Sequence, residues 1–192
     1  MTEQAPEQSG RRSIRLKGYD YSQAGGYYIT IVTLWRECLF GDVVDLEMQV
    51  NALGRIVQEC WDEIPAHFPN VVVDAFVVMP NHVHGIIFIH ENNRAGANPV
   101  GARHVSPLQE PTYPPRGFKP CSVGALVAAF KSSVTRRARG ELNSSNIWQR
   151  NYYEHILRDQ VDTKRITGYI LDNPINWDQD EENPQNQQEK RK

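Results

Sequence analysis

The chain has 192 residues, 40% hydrophobic and 23% charged, with a formal net charge of −2, enough for one well-formed core and short for two. No apolar run approaches the roughly 18 residues of a membrane span, and the opening MTEQAPEQSGRR lacks a secretory signal's apolar segment; a cytoplasmic protein without a membrane partner is expected. Cys38, Cys60 and Cys121 are odd in number and far apart, which argues against a disulfide framework or a cysteine-based zinc site.

Residues 1–10 and 179–192 are polar and without periodicity, and read as disordered flanks of a single domain over 11–178. Within it, GYYITIVTLW is rich in β-branched and aromatic residues and reads as a strand, with CLFGDVV as its hairpin partner. Val50, Leu53, Val57, Trp61 and Ile64 recur at helical steps, so a helix is expected that stops near Pro65. NVVVDAFVVM reads as a strand, PN as a turn and HVHGIIFIH as the returning strand. A Pro- and Gly-rich stretch over 91–120 reads as a long loop. Val123, Leu126, Val127, Phe130 and Val134 mark a second helix with a basic far end. IWQRNYYEHIL looks extended, and DTKRITGYILDNP is a short helix with Asp162 or Thr163 as N-cap and Pro174 closing it. Strand pairs joined by hairpins predict a largely antiparallel sheet with helices packed on it, an α+β fold.

On a strand, His82 and His84 point to the same face about 6 to 7 Å apart, so two imidazoles can share one metal ion. Two core histidines bonded to backbone are the plainer alternative, but burying both without a common purpose costs desolvation twice. His90 has the same parity but lies roughly 20 Å further along and cannot join them. Tyr169 and Asn173 are four residues apart, placing a phenol able to attack and an amide oxygen able to ligate on one helical face.

Charge is uneven. Arg11, Arg12, Arg15 and Lys17 crowd the entry to the domain, and Arg116, Lys119, Lys131, Arg136, Arg137 and Arg139 fill an acid-free stretch. Acids gather in Asp178, Asp180, Glu181 and Glu182. A neutral total can thus conceal a basic face for phosphates. Trp148, Tyr152 and Tyr153 alternate with Arg150 and Arg158, which suits single-stranded bases and phosphates, though any half-exposed strand can alternate in this way. For His155, positioning a phosphate and capping a turn both remain open.

MPNHVHGII, WQRNYYEHILRD and YILDNP, in that order, resemble the REP-associated tyrosine transposases, a branch of the single-tyrosine transposases with a histidine-hydrophobic-histidine motif; RRSIRLKGYDY and FKSSVTRR fit the same family. The resemblance runs from about Arg11 to Trp177. It implies a ferredoxin-like fold, a divalent metal (Mg2+ or Mn2+), and cleavage and transfer of single-stranded, hairpin-forming DNA through a 5′-phosphotyrosine bond. By motif match, His82, His84 and Asn173 ligate the metal and Tyr169 is the nucleophile. The candidate DNA contacts are Arg11, Arg12, Arg15, Lys17, Lys131, Arg136, Arg137, Trp148, Arg150, Tyr152 and Arg158. The protein is expected to act as a monomer or homodimer. Two rival readings are a domesticated binder of repeat hairpins that no longer cuts, and a plasmid replication initiator or relaxase; the small size and the lack of a second histidine-rich segment count against the latter.

Overall fold

A computed structural model describes residues 19–91, 119 and 121–189. The expected DNA contacts Arg11, Arg12, Arg15 and Lys17, and nearly all of the 91–120 loop, lie outside the described residues.

Six strands and five helices follow in chain order. They are β1 (Gly25–Val32), β2 (Gly41–Val44), β3 (Glu47–Val50), α1 (Ala52–Asp62), α2 (Ile64–His67), β4 (Val71–Val78), β5 (His82–Ile89), α3 (Val123–Leu142), β6 (Tyr153–Leu157), α4 (Gln160–Leu171) and α5 (Pro184–Glu189). The main sheet has the order β4-β5-β1-β6, every pair antiparallel. Stripped of β2, β3 and the last two helices, the order is βαββαβ, the ferredoxin-like arrangement the resemblance implies.

Alternation along β1 divides the interior. Tyr27, Ile29 and Ile31 join the large core with residues of α1 and α3, including Trp61, Val127 and Phe130. Tyr28 faces the other way, packing with Ile86 of β5 and Ile166 and Ile170 of α4. Between Val73 and Phe76 a bulge in β4 shifts the register against β5, so Val73 and Phe76, three residues apart, both serve the large core. Phe76 stacks on Trp61 with centroids 4.4 Å apart. Gly85 makes room for that pair, since a Cβ there would lie 2.4 Å from the Trp61 ring.

Several sequence expectations need correction. CLFGDVV does not pair with β1; its Gly41–Val44 portion pairs with β3, a strand the sequence reading missed, in a separate two-stranded sheet. Pro65 opens the short helix α2 rather than simply ending α1, because a first-turn position needs no N–H donor. The N-cap of α4 is Asp159, not Asp162 or Thr163: its side chain accepts the backbone N–H of Asp162. The segment expected to be disordered from Gln179 contains α5 and buries Asp180 and Asn183. Its order comes from polar bonds rather than apolar periodicity: Asn183 and Asn186 donate to the carbonyls of Trp177 and Asp178.

Candidate active site

The PN turn closes as expected, with the Met79 N–H donating to the His82 carbonyl at 2.8 Å. Asn81 in this turn is fully buried. Its Nδ2 donates to the carbonyls of Arg36 at 3.1 Å and Glu182 at 2.7 Å, which leaves Oδ1 as the acceptor 2.8 Å from His82 Nδ1. His82 therefore donates from Nδ1 and keeps a lone pair on Nε2. That Nε2 lies 3.0 Å from Nε2 of His84. On the far side of His84, the hydroxyls of Tyr28 and Thr30 lie 2.7 and 2.9 Å from Nδ1. His84 can thus donate to Thr30 and leave Nε2 facing His82. Burial lowers the His82 pKa from 6.5 to about 4, and burial together with His82 holds His84 well below 6.5. Two neutral rings with converging lone pairs are poised for a cation.

Other donors close around them. An Asp180 carboxylate oxygen and one nitrogen from each imidazole all lie within 4.8 Å of one another. Asp180 is held by Asn173 Nδ2 at 3.1 Å and by the Glu182 N–H at 2.5 Å. Asn173 lies against both His82 and Tyr169, and its Oδ1 is buried without a hydrogen-bond partner. A buried amide oxygen in that state is costly unless something positive faces it. Two imidazoles, a carboxylate and this oxygen form a mixed nitrogen and oxygen set that fits a divalent ion such as Mn2+ or Mg2+.

Tyr169, on α4 one turn before Asn173, is 49% exposed, with its hydroxyl 3.5 Å from His84 Nε2. Burial, then the charge of Asp180, raise its pKa above the usual phenol value. Tyr28 sits edge-on between Tyr169 and Tyr153, at centroid distances of 6.3 and 6.1 Å. Tyr153 pairs with Thr30 across the sheet and shares the histidine face.

The expected DNA contacts fare unevenly. Trp148 is turned into the large core, 5.2 Å from Phe40 and 5.7 Å from Phe130. Tyr152 packs on that same core, with the Lys131 ammonium 6.0 Å from its ring centroid. Strand parity is the reason: Tyr153 faces the histidines, so Tyr152 faces away. Lys131 is committed to the carbonyls of Gln149 and Asn151, and burial lowers its pKa to about 8. Arg137 is tied to Glu59, Glu63 and Glu141. Arg136, Arg150 and Arg158 remain exposed, and Arg136 and Arg139 line a groove on α3. His155 accounts for itself locally, bonding Asp162 in the first turn of α4 at 2.9 Å. Sequence reasoning missed Tyr28, Thr30, Asn81 and Asp180. Parity on β1 could have exposed the first two; nothing periodic marks Asp180.

No family model matches the chain. An uncharacterised protein of Haemophilus influenzae strain Rd is 46% identical over 172 residues, covering 89% of this chain and 92% of its own length, and the two belong to one family. A second protein of that strain, provisionally named a REP-associated tyrosine transposase, is 23% identical over 166 residues, 81% of this chain and 73% of its own. A solved REP-associated tyrosine transposase bound to a REP hairpin superposes with a TM-score of 0.55 at 17% identity, covering 84% of this chain and 73% of that one. The fold is that of the REP-associated tyrosine transposases. In this transposase fold the two histidines stand at the start of β5 and the tyrosine on the helix packed across them. Among the described residues no helix is long and apolar enough to cross a membrane.

Proposed function

We propose that the chain is a metal-dependent DNA strand transferase that cuts single-stranded DNA beside a hairpin, with Tyr169 as nucleophile. The observation that carries this reading is the convergence of two lone-pair imidazole nitrogens, 3.0 Å apart, on a half-exposed phenol 3.5 Å away.

His82 and His84 would hold the ion, joined by Asp180 and the amide oxygen of Asn173. When bound, a divalent cation polarises the scissile phosphate and offsets charge gathering on its oxygens. Asn81 and Thr30 fix both rings in the tautomer that leaves each Nε2 open. Asn173 serves twice, orienting Asp180 through Nδ2 and presenting Oδ1 to the site. Tyr169 reaches the phosphate from the open side. Its oxygen forms a bond to phosphorus as the bond to the 3′ oxygen breaks; the phenol proton passes to solvent at the half-exposed hydroxyl, and the departing oxygen takes up a proton to become a 3′-hydroxyl. The resulting 5′-phosphotyrosine retains the energy of the broken linkage, so rejoining to another 3′-hydroxyl needs no ATP. The hairpin stem would be gripped by exposed cations such as Arg136, Arg150 and Arg158, sequence-independent contacts that set affinity and orientation.

The test is incubation with a labelled hairpin carrying single-stranded flanks, with Mn2+ and with chelator. A covalent adduct that survives denaturation is expected only with the metal. It should vanish in Tyr169→Phe and persist in Tyr153→Phe. An adduct in Tyr169→Phe, or cleavage at full rate in chelator, would overturn the assignment.

A further inference from the structure

Beyond the end of β1 the chain does something costly. Trp35 and Arg36 both adopt left-handed backbone, with φ of 58° and 60°, a region in which bulky L-residues are strained. Trp35 is also 81% exposed, the most exposed large hydrophobic side chain among the described residues. Backbone strain and a bare indole are each unfavourable, and together they mark a segment held in place for use.

The bonds that hold it lead to the candidate site. The Leu34 N–H donates to the Ile147 carbonyl at 2.8 Å, the Thr33 N–H to the Asn81 carbonyl at 2.8 Å, and the Thr33 hydroxyl to the Glu37 carbonyl at 2.8 Å. Asn81 Nδ2 then grips the Arg36 carbonyl, and the Arg36 side chain pairs with Glu182. Asn81 is the residue that orients His82. Val32 lies opposite His82 in the sheet, so the Trp35 backbone is within about 16 Å of that of His82, by three residues of chain and one strand spacing. That is the reach of the few nucleotides flanking a phosphate bound at the histidines.

We infer that Trp35 is a base platform: its indole stacks on one nucleobase of the single strand flanking the scissile phosphate, and Asn81 couples that platform to His82. A flat aromatic face is sequence-tolerant and suits unpaired bases. The side chain's exposure leaves both faces open to a base, and the rigid turn prepays the cost of placing it. The inference rests on the single-strand reading of the site and adds a subsite to it.

The experiment measures binding of hairpins with and without flanks to full-length Tyr169→Phe protein, which cannot cut, with Trp35 intact or replaced. An abasic lesion is walked along the flank. With Trp35 intact, one position should weaken binding by about 5- to 150-fold, the range for one stacked base. Trp35→Ala should show that loss on intact DNA and no further loss at that position. Trp35→Phe should restore most of the affinity, and blunt hairpins should not distinguish any of the variants. Trp35→Gly should bind like Trp35→Ala yet melt at a higher temperature, since glycine relieves the left-handed strain. Unchanged flank affinity in Trp35→Ala, an abasic penalty that survives the substitution, or a lowered melting temperature in Trp35→Gly would each overturn the platform. Covalent adduct by the Tyr169-containing protein tests the cleavage reading separately; cleavage with no effect of Trp35 removes the platform alone, while failure of the chain to bind any hairpin removes both.

Discussion

Acid should unfold this protein through its histidine pair before its carboxylates matter. Burial lowers the His82 pKa from 6.5 to about 4, so the unfolded chain binds a proton that the native ring refuses. Stability from this group is fully present above pH 6.5 and is lost as pH falls toward 4. The displacement corresponds to about 3 kcal/mol at its limit, and about 2.5 kcal/mol of it is gone by about pH 4.5. His84 adds to the loss in the same direction, though two rings with nitrogens 3.0 Å apart cannot both be charged without repulsion. Urea unfolding in chelator at about pH 7 and about pH 4.5 measures the loss. His82→Asn is the control, because its amide can replace the Nδ1 donation to Asn81 while carrying no titrating group. The native protein should lose at least about 2.5 kcal/mol more than the variant over that interval. Parallel losses in the two would refute the burial argument and the fixed tautomer with it.

Asp180→Asn keeps the shape of the third ligand and removes its charge, so Mn2+ affinity by calorimetry should fall at least about tenfold; unchanged affinity would return the third position to Asn173 alone. Gly85→Ala drives a methyl group into the Trp61 ring and should cost about 1 to 3 kcal/mol in urea unfolding, whereas a neutral result would mean that the Trp61 and Phe76 stack is free to slide. Arg136→Ala should weaken hairpin binding and flatten its salt dependence by about one unit of slope. Arg137→Ala should leave both unchanged and cost at most about 1 kcal/mol of stability, since its partners are three exposed acids on α1 and α3.

The parts of this molecule that could be read from sequence are those governed by short periods. The alternation in HVHGIIFIH placed two imidazoles on one face, and the spacing of Val123, Leu126, Val127, Phe130 and Val134 foretold α3. The β2–β3 hairpin escaped because its two-residue turn is Asp45-Leu46, both left-handed, where a sequence reader looks for Asn-Gly. Trp148 and Tyr152 looked like nucleic-acid contacts because composition records residue type and not direction; the pairing of Tyr153 with Thr30 decides which aromatics face the histidines. Arg137 looked available for phosphates because Glu59 and Glu63 are more than 70 positions away in the chain. Asp180 was hidden in a polar tail whose order comes from individual hydrogen bonds, and these leave no repeating mark.

Synthesis imposes an order on the site. His82 and His84 leave the ribosome nearly a hundred residues ahead of Asp180, and Asn81 cannot complete its bonds until the Glu182 carbonyl arrives. A chain interrupted before that point can pair β1 with β5 and display both imidazoles, yet it has neither the carboxylate that completes the ligand set nor the brace that orients His82. On the proposed function, the ability to break a DNA strand is therefore acquired late in translation. Truncated products of a damaged message would be harmless to the genome of the cell that made them.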